Sequence, residues 1–99
     1  MTTYAGYLDT QVSWAGAPRA TYVSSPGVRR SFCPRCGSPV SFCGDRWPGE
    51  VHLFVASFDV PQSFTPRVHV HVGEQLPWMH LADGLPRYQL TAREGPPLP

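Results

Sequence analysis

Residues 20–43, ATYVSSPGVRRSFCPRCGSPVSFC, contain the clearest alternation of strand and turn signals in the chain. Runs rich in β-branched and aromatic residues are typical of strands, and this stretch has three such runs: Ala20–Val23, Val28–Phe32 and Val40–Cys43. Pro26-Gly27 separates the first two and suits a tight reversal. Cys33-Pro34-Arg35-Cys36-Gly37 separates the second from the third. The stretch therefore predicts short strands joined by turns, with two cysteines at one of them.

The rest of the chain continues this pattern. Thr10–Trp14 alternates, Val51–Phe58 is the most apolar run and is predicted to be a central strand, and Arg67–Val72 places three valines on one face. Leu76–Leu81 could form one short helical turn. No stretch of about 10 to 15 residues has helical periodicity. We therefore expect an all-β protein, a sheet or sandwich of about six to seven short strands.

Length and composition limit the architecture. The chain has 99 residues, 41% of them hydrophobic, with 12 prolines and 9 glycines. That length suits one small domain with a thin core, for which a metal or an oligomer interface is a common additional support. We expect one domain over residues 1–90 and a disordered, proline-rich tail over residues 91–99.

Several functional classes are disfavoured. All 8 basic residues are arginine, so no lysine is present to form a Schiff base. No apolar run approaches the roughly 20 residues of a membrane span, and the start, Met1–Tyr4, lacks the features of a signal peptide, so we expect a cytoplasmic protein with no membrane partner. The net charge of +1 argues against nucleic acid as a partner.

The cysteine turn is the sharpest motif in the sequence. A redox Cys-x-x-Cys normally opens a helix that lowers the thiol pKa, whereas here Gly37-Ser38-Pro39 and a β-like run follow. Pro34 fixes φ and Gly37 tolerates a positive φ, as a zinc knuckle requires. An odd count of 3 cysteines also argues against a disulfide framework. Cys33 and Cys36 are therefore the predicted metal ligands, and zinc is the expected cofactor.

A structural zinc has four ligands, so two are missing from this turn. Four completions are open. Cys43 and a histidine could complete the site, or His69 and His71 could bind a metal from one strand face. A homodimer could share a four-cysteine site, or the turn could be a remnant that binds no metal. His52 and His80 are expected to be structural or exposed.

Arginines near the cysteine turn raise one further alternative. Arg29, Arg30, Arg35 and Arg46 would surround a zinc-ribbon-like nucleic-acid binder, but a solvated rim pairing with Asp45 or Glu50 fits the low net charge better. The aromatic residues are expected in the core or on sheet faces, with Trp47 the best candidate for an exposed binding residue.

Residues 22–39 also resemble a known family. Tyr22-Val23-Ser24-Ser25, Arg30-Ser31-Phe32-Cys33 and Cys36-Gly37-Ser38 are similar to a segment of the glutathione-dependent formaldehyde-activating enzyme / centromere protein V family. The resemblance extends over about residues 7 to 88 through the following matches, in order: Val55–Pro61, Pro66, His69, Trp78 and Leu85–Tyr88.

The resemblance implies a small β-tent fold and carbon–sulfur lyase chemistry, the addition of glutathione thiol to formaldehyde. It also implies that Cys33 and Cys36 are half of a structural zinc site, and that a glutathione-type thiol could be a substrate. In that family a second zinc is held by an upstream cysteine triplet, but no cysteine precedes Cys33 here. The resemblance is therefore to the C-terminal part of the family only, and three explanations are open: a truncated product, a shortened relative that binds zinc by dimerising, or a metal-free remnant. We expect little or no lyase activity from this chain alone. The alternative is a non-catalytic zinc or interaction module.

Overall fold

The computed structural model describes all 99 residues and contains five strands and no α-helix. The strands are β1 (Tyr4–Leu8), β2 (Ala20–Ser25), β3 (Val28–Phe32), β4 (Pro39–Gly44) and β5 (Glu50–Phe54). They form one antiparallel sheet in the order β1-β5-β4-β3-β2. The prediction of an all-β protein is confirmed, with five strands instead of six to seven. No helix has the length and apolar character that crossing a membrane requires.

Consecutive strands from β2 to β5 are neighbours because short turns join them. Gly27 adopts a φ of 77° in the β2–β3 turn, where it accepts a hydrogen bond from the Asp45 backbone N–H at 2.8 Å. Between β3 and β4 the register shifts after Ser31, so that Phe32 lies opposite Pro39. This irregularity comes directly before the cysteine turn. The three strands predicted within residues 20–43 are confirmed.

Strands outside that central stretch differ from the sequence-based expectation. The strand predicted over Thr10–Trp14 is wrong: Asp9–Gln11 is a 3-10 helix, and the strand lies earlier, at β1. β5 ends at Phe54, and Val55–Ser57 is another 3-10 helix. β5 has partners on both sides, as expected for a strand inside the sheet. Its early end leaves Val55 buried just beyond the sheet.

The strand predicted over Arg67–Val72 is also wrong. Its only sheet-like pairing is one isolated bridge between His69 and Arg87. His71 adopts a left-handed φ of 55°, which ends the extended backbone, and Val72–Glu74 is a 3-10 helix. At Leu76–Leu81 the expected helical turn is a simple turn, closed by the Met79 N–H on the Leu76 carbonyl oxygen at 3.0 Å.

The chain divides into two compact units. Met1–Phe64 contains the whole sheet together with the 3-10 helices Asp9–Gln11, Val55–Ser57 and Pro61–Ser63. Thr65–Pro99 is held by loop hydrogen bonds, among them the Leu98 N–H on the Arg87 carbonyl oxygen at 2.7 Å.

The core is thin. Three apolar side chains are buried, those of Ala5, Val51 and Val55, together with the hydroxyls of Ser31 and Ser41. Burying one valine side chain contributes about 1.5–3 kcal/mol, so three small side chains give limited stabilisation. The sequence-based expectation of a thin core agrees with this burial.

Candidate metal centre

The turn between β3 and β4 brings two cysteines together. Cys33 follows the last residue of β3, and its carbonyl oxygen accepts the Gly37 N–H at 2.8 Å. The Cys33 N–H in turn donates to the Ser38 carbonyl oxygen at 2.9 Å. Gly37 has a φ of 78°, so the positive φ predicted from the sequence is observed. These bonds close the loop that contains Cys33 and Cys36.

The two thiols differ in environment. Cys33 is half-buried and Cys36 is exposed. The Cys36 Sγ lies 3.1 Å from the Ser38 Oγ. Hydrogen bonds from the Ser38 hydroxyl, then from the Ser38 backbone and from the Cys33 thiol, lower the pKa of the Cys36 thiol, because each stabilises the thiolate. Thiolate is the form that binds metal, so the turn favours the species that a zinc site needs.

The other predicted ligands lie elsewhere. Cys43 is on β4, opposite Arg29 of β3. His69 Nε2 lies 2.8 Å from Asp83 Oδ2, and His71 has the left-handed backbone described above, so the two histidines do not share a strand face. No three His, Cys, Asp or Glu side chains in the chain meet in a group that could hold a metal ion. The structure brings together Cys33 and Cys36 and adds no third donor to them.

These two residues have the donor atoms that zinc prefers, but they are only half of the ligands that it needs. Their donor set, two cysteine sulfurs with one pKa lowered, matches the ligands that zinc prefers in structural sites. A tetrahedral site needs four ligands, and this turn supplies two.

A cavity of about 330 Å³ adjoins the cysteine turn. One wall is the segment 14–19, in which the Arg19 guanidinium carbon lies 3.5 Å from the centre of the Trp14 ring. Cys33 and Arg35 of the turn also line the cavity. The sequence reasoning did not predict this cavity, because the Trp14–Arg19 segment and the turn are distant in sequence.

Ser38 contacts the Cys36 sulfur, a contact that the sequence analysis did not predict. Its position directly after Cys36-Gly37 was a usable signal, since a hydroxyl two residues beyond a thiol in a tight turn can reach the sulfur.

One expected pairing of the arginines near the turn is observed. Arg29 Nη1 lies 3.0 Å from Asp45 Oδ1.

Fold and turn together define a small antiparallel β-protein with two cysteines in one turn. The model of the family described as glutathione-dependent formaldehyde-activating enzyme matches residues 1–74, and the chain belongs to this family. The match includes the whole sheet and the cysteine turn. No curated protein and no solved structure gives a significant match to the chain.

Proposed function

We propose that the chain is a zinc-binding member of its family, in which Cys33 and Cys36 supply two thiolates to a structural zinc. The observation that supports this most directly is the closed turn, which sets Cys33 and Cys36 side by side and hydrogen-bonds the Cys36 sulfur to Ser38. Because no third donor within the chain joins them, we propose that a second copy supplies the other two ligands, giving a four-cysteine site in a homodimer.

Zinc content measured together with solution mass tests this proposal. We expect about half a zinc per chain, in a species of twice the chain mass. Cys33→Ser and Cys36→Ser should each abolish both the zinc and the dimer. Cys43→Ser is the matched control, because Cys43 lies on β4 outside the turn, and it should retain both.

Three results would contradict the proposal. One zinc per monomer would mean that other residues of the same chain complete the site. Absence of zinc from protein purified with zinc present would mean that the turn is a metal-free remnant. Equal loss of zinc in Cys43→Ser would move the site away from the turn.

The family description raises the question of catalysis. Only 3 cysteines occur in these residues, and none precedes Cys33, so these residues do not contain the family's catalytic triplet. We propose that these 99 residues alone add glutathione to formaldehyde weakly or not at all, and that the role of the zinc here is structural. Mixing the pure chain with both reagents and following S-hydroxymethylglutathione by NMR should give the uncatalysed rate. Zinc-dependent turnover well above that rate would refute this view.

A further inference from the structure

The cavity beside the cysteine turn has the dimensions of a small-molecule site. Its volume of about 330 Å³ lies at the lower end of the range of roughly 300–1,000 Å³ that is typical of ligand pockets. Trp14, Pro18, Pro34 and Val40 supply apolar walls. Such walls favour a compact ligand with an apolar, planar body.

The charges in this cavity are of one sign. Arg19 and Arg35 both line it, and its lining contains no acidic side chain. Neither arginine forms an ion pair, in contrast to Arg29, which binds Asp45. Arg19 instead stacks on Trp14, which holds its guanidinium group against the Trp14 ring. Two guanidinium groups beside apolar walls, without a carboxylate, are complementary to an anion attached to an apolar group.

From this juxtaposition we propose that the cavity binds a small carboxylate with a planar, apolar body. The carboxylate would interact with the guanidinium groups of Arg19 and Arg35, and the planar body would pack between Trp14 and Val40. Cys33 also lines the cavity and would be covered by the bound ligand. Ligand binding here does not require zinc, but the cavity shares Cys33 with the zinc site proposed above, so the titration is done on metal-free protein.

Titration of the full chain with 2-naphthoate, followed by NMR, tests the proposal. The expected dissociation constant is about 1 mM or below, the range for a ligand of this size. The largest shift changes should fall on the Trp14 indole N–H and on the Nε–H groups of Arg19 and Arg35. The neutral isostere 2-naphthamide and the small anion acetate should each bind at least about fivefold more weakly. The amide lacks the negative charge, and acetate lacks the planar apolar group.

Variants separate this site from non-specific binding. Arg19→Gln and Arg35→Gln should each weaken 2-naphthoate binding about threefold to fivefold, the range for an exposed ion pair. Arg67→Gln, outside the cavity lining, should leave it unchanged. Equal affinity for the amide or for acetate, an equal loss in Arg67→Gln, or no binding at millimolar ligand would overturn the proposal. The same titration with Cys36→Ser should still show binding, so a failure of the zinc proposal would not be mistaken for a failure of this one.

Discussion

At the scale of single residues, the close approach of His52 to β1 decides which side chain position 6 can hold. A Cβ atom on Gly6 would lie 3.1 Å from His52 Nδ1. The His52 ring cannot easily yield, because it stacks on Phe42 at 4.6 Å between ring centres and meets the Tyr4 ring edge-on at 5.6 Å. This aromatic row lies across three neighbouring strands of the sheet.

We therefore expect Gly6→Ala to lower the free energy of unfolding by about 1 kcal/mol or more, because the added methyl group overpacks the His52 ring. Gly44→Ala is the matched control in β4, where the new Cβ would find only ordinary contacts at 3.8 and 3.9 Å. Urea unfolding measures both variants. The cost of Gly6→Ala should largely disappear in a His52→Ala background, and a persisting cost would show that the contact is not the cause.

A second residue-scale prediction concerns acid. The Leu85 backbone N–H and the His69 ring both hydrogen-bond the Asp83 carboxylate, and the backbone bond is the larger cause of the lowered pKa of Asp83. Because the folded pKa lies below the ordinary value of 3.8, this contact stabilises the folded state above that value and is lost as the pH falls through the folded pKa.

The measurement is the Leu85 amide proton signal in a pH titration by NMR. We expect a shift with a midpoint below 3.8, together with weaker local protection in acid. Asp83→Asn should abolish this titration, whereas Asp59→Asn should preserve it. A midpoint above 3.8 would contradict this prediction, because the hydrogen bonds described lower the pKa of Asp83.

At the scale of elements, β3 and β4 are joined by a buried pair of hydroxyl groups. Ser31 and Ser41 lie opposite each other in the register, and their side chains hydrogen-bond in the interior of the sheet. Removing one hydroxyl leaves the other buried without this bond, whereas removing both leaves a small apolar contact.

We expect Ser31→Ala and Ser41→Ala each to destabilise the protein by about 1–2 kcal/mol, and the double variant to cost less than the two single costs combined. Thermal or urea unfolding of the four proteins gives the coupling free energy. Strict additivity would mean that the two hydroxyls do not depend on each other. Ser13→Ala, at an exposed position outside the strands, is the control and should change stability little.

The local sequence pattern was sufficient to predict those strands that pair with the next strand along the chain. β2, β3 and β4 follow from their β-rich runs and the two turns, because each finds its partner a few residues away. β1 was missed because Gly6 weakens its local signal, and it extends only because all five of its residues pair with the distant β5. The alternation at Arg67–Val72 was misleading because alternation does not supply a partner strand, and only the His69–Arg87 bridge forms.

The same limit applies to the candidate site. The motif is local, so the sequence alone places Cys33 and Cys36 in one turn, and the turn residue Gly37 has the positive φ expected of it. The cavity was not predictable, since it depends on the Trp14–Arg19 segment lying against the turn. The expected assignment of Cys33 and Cys36 to zinc, and of a homodimer to the assembly, stays a prediction.

At the scale of the whole molecule, the thin core makes stability sensitive to any ligand of the folded state. Zinc at 100 times its dissociation constant would add about 2.7 kcal/mol. For a domain of this size that corresponds to a rise of roughly 10–20 °C in Tm. We expect such a rise in the native protein and in Cys43→Ser, and none in Cys36→Ser.

The dependence of Tm on protein concentration distinguishes a zinc shared by two copies from a zinc held within one chain. If two copies share the zinc, the Tm of the zinc-loaded protein should rise as the protein concentration rises, because dissociation accompanies unfolding. A Tm independent of concentration, with the zinc effect intact, would place all ligands in one chain and contradict the shared site. Calorimetry at two concentrations tenfold apart is sufficient.

The strand order also has a kinetic consequence. β2 to β5 pair with sequence neighbours, so their loops close at little entropic cost, whereas β1 must reach β5 across the whole of that segment, Tyr4 meeting Phe54. The meander should therefore form before β1 docks, and substitutions in β1 such as Gly6→Ala should accelerate unfolding while leaving the folding rate nearly unchanged. Until β1 docks, the edge of β5 that it later covers is open to strands from other chains, so a delay in this last step would expose the chain to aggregation.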